Sequence, residues 1–247
     1  MWRSKGKLMV KPRSSKKYQA AASLVDASQF YGPEEAVELA KKTSTAAFDE
    51  TVELHLRTNA DPRHADQQLR GMAVLPHGLG KPVRVLVFTQ GELALAAQQA
   101  GAEYVGDDDL ISQIEGGWAD FDVAIATPDM MTRIGKLGRL LGRRGLMPNP
   151  RTGTVVQPDK LVDAIEEAKR GRVELRIDRT AIIHSPIGKV SFEEEHLLGN
   201  LVAVMDTLNQ LKPTGVKGAF IKTGYLTTTM GPSIPLDLAS ITGLRLD

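Results

Sequence analysis

The sequence has 247 residues, of which 42% are hydrophobic and 25% charged, as is ordinary for a globular protein that buries its own core. It has no cysteine, which excludes disulfide scaffolds, thiolate metal sites and cysteine nucleophiles, and no apolar run approaches the ~18 residues of a membrane span. The net charge is only +1, but residues 1–20 carry seven basic and no acidic side chains, whereas residues 78–132 carry two basic and nine acidic ones. Such segregation favours a polyanionic partner bound by local basic patches.

The N-terminal segment, residues 1–20, forms a basic arm without the apolar stretch of a secretory signal. Its serines and its lack of acids are compatible with a cleaved organelle transit peptide. A permanent arm that contacts nucleic acid fits the composition equally well. A tail that only aids solubility is the third interpretation.

The chain up to residue 82 predicts a helix, a strand and a linker. Gly32-Pro33 followed by two glutamates is typical of a helix start, because proline suits the first helical position and acids suit its positive end. Residues 48–58 alternate apolar and polar side chains, which predicts a half-buried strand. Residues 72–82 are rich in glycine and proline, which predicts a linker.

The middle of the chain has a different pattern. Apolar runs that predict strands alternate with segments that predict helices, in the order 83–88, 92–100, 103–105, 107–115 and 121–126. This β-α-β-α-β order implies a parallel sheet with right-handed crossovers. A further helix is predicted over residues 158–169, ending at Gly171.

The last third returns to period-two alternation. It predicts strands and one amphipathic helix: strands at 172–178, 182–184, 189–191 and 217–229, and the helix at 193–211. The predicted fold is therefore α/β with two domains. An α+β domain built from both chain ends (1–77 and 171–247) would hold an inserted Rossmann-like β-α-β domain (78–170). Two connecting strands would form a hinge, with Gly78, Gly80 and Gly171 as its candidate residues.

The strongest local signal lies at residues 133–151, which are basic and rich in glycine. Ile134, Leu137, Leu140 and Leu141 have the spacing of a helical stripe, so an amphipathic helix or a membrane-surface helix is one interpretation. Each glycine disfavours a helix by ~1 kcal/mol and lets backbone amides approach an anion. We therefore favour a phosphate-contacting loop over 135–151, whose basic side chains are Lys136, Arg139, Arg143, Arg144 and Arg151.

Signals for catalysis are weak. The dinucleotide fingerprint is absent after Phe88, and residues 78–82 depart from the Walker pattern in spacing and end in proline. The five histidines lack metal-binding spacing. The sequence thus predicts no cofactor, no metal and no enzyme. The alternative that stays open is an α/β enzyme that binds a phosphorylated ligand at the 135–151 loop.

The segment 137–155, LGRLLGRRGLMPNPRTGTV, resembles the signature of the ribosomal protein L-one family, the protein of the mobile large-subunit stalk. The resemblance continues in collinear order over most of the chain, at residues 45–51 (TAAFDET), 61–71 (DPRHADQQLRG), 75–81 (LPHGLGK), 101–106 (GAEYVG), 120–129 (DFDVAIATPD), 183–189 (IHSPIGK) and 227–232 (TTTMGP).

The resemblance implies a structural constituent of the large ribosomal subunit with two domains joined by a hinge. The first domain would bind the stalk junction of ribosomal RNA, and the second would help to move or release exit-site tRNA. The RNA-binding surface would also bind the protein's own messenger and repress its translation. A free repressor that acts on messenger alone remains an alternative. The implied location is the cytoplasmic ribosome, or an organelle ribosome if the basic arm is a transit peptide.

The resemblance also assigns RNA-binding residues by position. Those that match the family's first RNA-facing strand are Phe48, Glu50 and Thr51. Those that match its central recognition triad are Thr229, Met230 and Gly231. A further basic face of the same domain is matched by Arg176, Arg179, His184 and Lys189. RNA helices are read by shape, backbone and 2′-hydroxyl contacts, which suits threonines and main-chain groups.

Three positions depart from the family pattern, and the N-terminal arm is longer than usual. Ala47 stands where lysine is usual, so one phosphate contact is missing. Arg143 stands where proline is usual, which predicts a looser and more basic loop. Ile177 stands where asparagine is common, which removes polar contacts near Arg176.

Overall fold

The computed structural model describes residues 15–243. Its helices are α1 (Lys16–Ala22), α2 (Pro33–Thr43), α3 (Glu92–Gln99), α4 (Asp108–Glu115), α5 (Met131–Ile134), α6 (Gly138–Arg144), α7 (Leu161–Gly171), α8 (Glu194–Gln210) and α9 (Leu238–Gly243). Its strands are β1 (Thr51–Thr58), β2 (Arg70–Val74), β3 (Val85–Phe88), β4 (Tyr104–Gly106), β5 (Val123–Ala126), β6 (Arg172–Arg176), β7 (Ile182–Lys189), β8 (Ile221–Thr228) and β9 (Ile234–Pro235). The basic arm up to residue 14 lies outside the described residues.

An antiparallel sheet joins the two ends of the chain, with the strand order β7-β1-β8-β9. The predicted alternation of β1 is confirmed, because Val52, Leu54 and Leu56 are fully buried and the intervening side chains face outward. The buried side of this sheet packs against α2 and α8. Its outer side is left available for a partner.

Two predictions on strands were wrong. Residues 72–74 do not begin a linker but belong to β2, which pairs with β6 in a second sheet. The small side chains of Gly71 and Ala73 fill its buried positions, so the alternation in β2 was weak. The predicted pair of short strands at 182–184 and 189–191 is replaced by one strand, β7, which ends at Lys189, and residues 190–191 form a turn. Strand β7 tolerates Pro186 because it is an edge strand, where a missing N–H costs little.

The middle of the chain contains the predicted parallel sheet, with the order β4-β3-β5. All four residues of β3 are buried, as expected for a strand covered on both faces. Helices α3 and α7 supply buried residues on one side, and α4, α5 and α6 on the other. The predicted α/β class with its β-α-β arrangement is therefore confirmed.

The segment 133–151 corrects our preference for a loop, because residues 131–144 form α5, a single 3₁₀ turn and α6. Ile134, Leu137 and Leu141 are buried in the hydrophobic cluster under this segment, and their burial outweighs the helix cost of the glycines. Leu140 is half-exposed and does not join the stripe. Gly145, with φ of 73°, ends α6 in the left-handed conformation that glycine adopts most easily.

Buried apolar residues divide into clusters that follow the sequence. One cluster takes its buried members from residues 31–75 and 173–241, and two smaller ones take theirs from residues 85–168. The chain crosses between these regions around Gly78 and around Gly171. The Leu75 N–H donates to the Gly171 carbonyl at 3.1 Å, so the two crossings lie side by side.

Candidate nucleic-acid interface

One end of the antiparallel sheet brings together most of the predicted RNA-binding residues. We call this surface the strand-end face and define it by Phe48, Glu50, Thr51, Lys189, Thr229, Met230 and Gly231. Its parts come from the segment before β1, from the end of β7 and from the turn after β8. Residues about 180 positions apart in sequence thus meet where β1 pairs with β8.

Glu50 holds this face together from beneath. Its side chain is fully buried, and one oxygen, Oε1, accepts hydrogen bonds from the Ser44 hydroxyl and from the N–H groups of Thr45 and Ala46 at 2.8–3.0 Å. The other oxygen, Oε2, accepts from the Met230 N–H at 2.9 Å. A buried carboxylate with this many donors orders two loops at once. Glu50 therefore positions the face and does not itself meet a ligand in this conformation.

The donors also keep Glu50 ionised. Burial by itself would raise the pKa of the Glu50 carboxyl, but hydrogen bonds from the Ala46 and Met230 N–H groups and from Ser44 outweigh it and lower the pKa to about 2. The carboxylate is consequently charged at neutral pH.

Thr229 extends the pairing of β1 and β8 by one residue. Its N–H donates to the Thr51 carbonyl at 3.0 Å, and its Oγ1 accepts from the Thr51 N–H at 3.0 Å. Across the sheet, the Lys189 ammonium donates to the Thr51 hydroxyl at 2.8 Å. The polar groups of the face are therefore tied to one another before any partner arrives.

The turn after β8 requires glycine at position 231. A Cβ at Gly231 would lie 2.4 Å from the Oγ1 of Thr228, a buried and β-branched side chain that has little room to move. The turn presents Met230 with 58% of its surface exposed, and the segment before β1 presents Phe48 with 56% exposed. Large apolar side chains held open on an ordered backbone suit stacking on bases or sugars.

The other predicted basic residues line a separate groove of about 1010 Å³, which we call the arginine groove. It is bordered by Arg176, Arg179 and His184, together with Arg70, which our sequence reasoning missed. Arg70 pairs with Arg176 across β2 and β6 and is ion-paired to Glu174 at 2.6 Å. The pairing of β2 with β6 places Arg70 opposite Arg176, so predicting β2 as a strand would have identified Arg70.

Strand pairing also connects the groove with the strand-end face. Lys189 lies opposite Thr51 in the β1–β7 ladder, and His184 lies opposite His55. The four residue steps from Thr51 to His55 on β1 span roughly 14 Å, which is about the length of two nucleotides of an extended RNA backbone. Ile177, one of the departures from the family pattern, is buried at the side of the groove.

A third basic surface lies on the helices of the middle region, which we call the basic helices (α5 and α6). Lys136 pairs with Glu115 at 2.9 Å, whereas Arg139, Arg143 and Arg144 are exposed and form no ion pair with any described residue. The side chain of Arg151 is outside the described residues. The side chains of Arg139, Arg143 and Arg144 thus stand on a helix surface and not in an amide-lined loop.

The candidate hinge glycines are packed differently from one another. Gly78 and Gly171 both have positive φ, and a Cβ at Gly171 would lie 2.9 Å from the Gly78 Cα. Gly80 lies against Phe192 and Lys189. Asn200, fully buried, donates to the carbonyls of Gly78 and Ile187 at 2.9 and 2.7 Å. These contacts fix the first crossing to α8 and β7.

Arg172 is a connecting residue that the sequence reasoning missed. It belongs to β6, but its guanidinium, only 7% exposed, donates to the carbonyls of Ala164 and Gly153 in the middle region at 2.6 and 3.4 Å. The alternating charge along residues 172–176 does not indicate this contact, because the Arg172 guanidinium is buried by residues outside β6, such as Gly153 and Ala164.

Within residues 15–243, no cluster of three histidine, aspartate or glutamate side chains is arranged to hold a metal ion. In the same part of the chain, no helix combines the length and apolar character needed to cross a membrane. Fold and surfaces together define a mixed α/β protein with an ordered polar face at one sheet end and two separate basic surfaces.

Comparison with known proteins identifies the family. Residues 40–232 match the model of the Ribosomal protein L1p/L10e family. The chain is 58% identical over 229 residues to a protein of Dehalococcoides mccartyi named large ribosomal subunit protein uL1, covering 93% of this chain and 97% of that protein. It is 56% identical over 236 residues to the protein of the same name from Chloroflexus aggregans, covering 95% of this chain and 100% of the relative. The chain therefore belongs to the Ribosomal protein L1p/L10e family.

This membership confirms the resemblance drawn from the sequence motifs. It also confirms that the chain is not an enzyme, because the relatives are ribosomal proteins. The alternative of a phosphorylated ligand at residues 135–151 loses support as well, since Gly138 and Gly142 lie in α6 and do not form an anion-binding loop.

Proposed function

We propose that this protein is a structural constituent of the large ribosomal subunit on the cytoplasmic ribosome. In this proposal, the strand-end face and the arginine groove bind the stalk junction of large-subunit ribosomal RNA. The observation that carries the proposal is Glu50, which is fully buried and holds the backbone on both sides of the face. A site that is ordered before binding loses little conformational entropy when RNA docks.

The chemistry of the strand-end face suits RNA. Main-chain groups and hydroxyls such as that of Thr51 match the 2′-hydroxyls and phosphates of a shallow RNA groove, and exposed Phe48 and Met230 supply apolar contacts. Lys189 and the groove residues Arg176 and Arg179 supply phosphate contacts at a distance. The near-neutral overall charge is no obstacle, because these contacts are local.

The middle region has a separate role in the proposal. The hydrophobic clusters divide at the two crossings, so we propose that residues 78–170 form an inserted domain that moves relative to the domain formed by 1–77 and 171–247. Its basic helices would contact exit-site tRNA and help to move or release it. The strand-end face would also bind the protein's own messenger and repress translation.

Equilibrium binding of the whole protein to a stalk-junction RNA fragment, with a scrambled hairpin as the competitor, tests the proposal. Met230→Asp is the sharpest variant, since the side chain is exposed and its replacement should not affect stability. We expect it to abolish the preference for the stalk fragment. Thr229→Val should do the same but also lower stability by about 1–3 kcal/mol, because the Thr51 N–H loses its acceptor.

Thr229→Ser is the matched control, since it keeps the hydroxyl that accepts from Thr51. If Met230→Asp and Thr229→Val bind the stalk fragment as the parent does, the recognition surface is misassigned. Co-sedimentation with large subunits separates the ribosomal role from that of a free repressor. A repressor that acts on messenger alone would not sediment with the large subunits.

A further inference from the structure

Two histidines contact each other on the outer side of the antiparallel sheet. His55 on β1 and His184 on β7 are cross-strand partners, and their Nδ1 atoms are 2.7 Å apart. A distance this short requires that one Nδ1 carries a proton and the other accepts it. The two rings therefore share one proton at this contact.

The remaining ring nitrogens each face a carboxylate. The Nε2 of His55 is 3.6 Å from Glu53 Oε2, and the Nε2 of His184 is 3.6 Å from Asp178 Oδ2. Burial would raise the pKa of Asp178, but hydrogen bonds from the Thr180 hydroxyl and from the Ile182 and Thr180 N–H groups lower it to about 2, so this carboxylate is ionised.

Counting protons on this geometry limits the states of the pair. With two protons the pair is neutral, and one Nε2 lone pair must face a carboxylate. With three protons it carries one positive charge, both Nε2–H groups face carboxylates, and the Nδ1 contact is kept. A fourth proton would place two Nδ1–H donors against each other and separate the rings. The intact contact therefore admits two states of the pair, neutral and +1, which differ by one proton.

The surroundings of His55 disfavour its charged form. Burial and, after it, the neighbouring His184 lower the pKa of His55 below its ordinary value, whereas Glu53 acts in the opposite direction. The third strand contributes Tyr225, the partner of His55 on β8, and Arg57 lies two residues further along β1. On the other side, His184 borders the arginine groove with Arg176 and Arg179.

From this arrangement we infer that the His55–His184 pair links RNA binding to the uptake of a proton, with His55 acting as a positioning residue through His184. This inference rests on the proposed function. A phosphate in the arginine groove stabilises the +1 state of the pair, since an opposite charge nearby favours the charged form. Our assignment of RNA-binding residues did not include His55.

The test is the affinity of the whole protein for the stalk-junction RNA fragment between pH 6 and 8.5 at fixed salt. The expected result is a gain of ~3–10-fold as the pH falls, which corresponds to a pKa change of one unit or less on binding. Calorimetry in two buffers of different ionisation enthalpy should show uptake of a fraction of one proton per complex.

The variant His55→Asn keeps an acceptor for the Nδ1–H of His184, but His184 can still take up a proton in it. The double variant His55→Asn with His184→Asn removes both rings. We expect the ratio of its affinities at pH 6 and pH 8.5 to fall to about 1. His196→Gln is the control, because this histidine stacks on His77 away from the groove and should keep the parent's pH profile.

The outcomes are distinct. If the parent binds the RNA with no pH dependence, or if the double variant His55→Asn with His184→Asn keeps the parent's full dependence, the inference is overturned and the proposed function stands. If the parent shows no preference for the stalk fragment at any pH, the proposed function and the inference both fail. Loss of the pH dependence in the double variant, and not in His196→Gln, supports the inference.

Discussion

The strand-end face and the basic helices differ in how their polar groups are held. In the strand-end face, a buried carboxylate and paired strands fix the groups, so Glu50, Thr51 and Thr229 are bonded into one backbone network before binding. On the basic helices, Arg139 and Arg143 stand exposed on flexible side chains and make no ion pair with any described residue. The fold orders the polar groups of the strand-end face. On the basic helices, the fold sets the backbone but does not hold the arginine side chains in place.

This difference indicates two kinds of binding. An ordered surface discriminates between partners by its fixed shape, because it cannot rearrange to fit a wrong partner. Exposed arginines attract any phosphate, and that attraction weakens as salt rises. We therefore propose that specificity belongs to the strand-end face and salt-sensitive contacts to the basic helices, a division that variants on each surface can test.

The largest effect is expected from Glu50→Gln. The variant keeps the shape of the side chain, but its amide sets an N–H donor either against the Met230 N–H or against the donors of residues 44–46. The remaining amide oxygen is uncharged and a weaker acceptor. Leaving buried donors unpaired should lower the free energy of unfolding by about 2–4 kcal/mol and abolish RNA preference. Chemical denaturation and RNA binding measure both. Glu53→Gln, more exposed and on the same strand, should change stability by less than about 0.5 kcal/mol.

The same carboxylate predicts an acid dependence with a definite sign. Its pKa is about 2 in the folded protein against an ordinary 4.5, so its contribution is complete above pH 4.5 and is lost as the pH falls through 2. The shift corresponds to roughly 3 kcal/mol. Parent and Glu50→Gln should therefore converge in stability toward pH 2. A constant difference between them from pH 6 to pH 2 would contradict this role of Glu50.

The crossing between the two regions should give the next largest effect. Gly171→Ala places a Cβ 2.9 Å from the Gly78 Cα at a φ of 106°, so backbone must move against backbone. We expect a decrease of about 1–3 kcal/mol in the free energy of unfolding, measured by chemical denaturation. RNA affinity should fall much less than for Glu50→Gln, since neither Gly171 nor Gly78 belongs to the strand-end face.

Removing arginines from the basic helices should alter salt dependence and leave discrimination intact. For Arg139→Gln with Arg143→Gln, the slope of log affinity against log salt should become shallower by about 0.7–0.9 for each phosphate that is no longer neutralised, measured with exit-site tRNA. Lys42→Gln is the control, because Lys42 lies on α2 in an ion pair with Glu38. An unchanged slope in the arginine variant would remove the basic helices from tRNA binding.

The smallest effect is a stabilisation. Gly142 lies inside α6 with open space around its Cα, so Gly142→Ala should raise the free energy of unfolding by about 0.5–1 kcal/mol. A decrease in stability would mean that residues 138–144 are not helical in solution. Together with Gly171→Ala, this variant separates glycines that the fold needs from glycines that it merely tolerates.

The sequence was sufficient wherever a pattern had local causes. The alternation of β1, the parallel β-α-β order and Pro33 at a helix start all depend on near neighbours, and all were predicted. The errors came where distant partners decide. β2 is a strand because β6 pairs with it, and residues 131–144 are helical because burial of Ile134 and Leu141 outweighs the glycines.

The candidate site shows the same limit. The family resemblance suggested Thr229, Met230 and Glu50 by their positions in the sequence. It did not reveal that the Glu50 side chain is buried and supports the face, whereas the Met230 side chain is exposed. Arg70 and His55 were missed, because each acquires its role only from a cross-strand partner.

The most direct test of the central claim is the ratio of affinities for the stalk-junction fragment and a scrambled hairpin, measured at several salt concentrations. Parent, Met230→Asp and the double variant Arg139→Gln with Arg143→Gln should be compared. We expect the parent and the double variant to keep a preference of ~10³ or more for the stalk-junction fragment at moderate salt. Met230→Asp should bind both RNAs alike. A parent that binds both RNAs equally, or a preference abolished with the arginines and kept in Met230→Asp, would contradict the central claim.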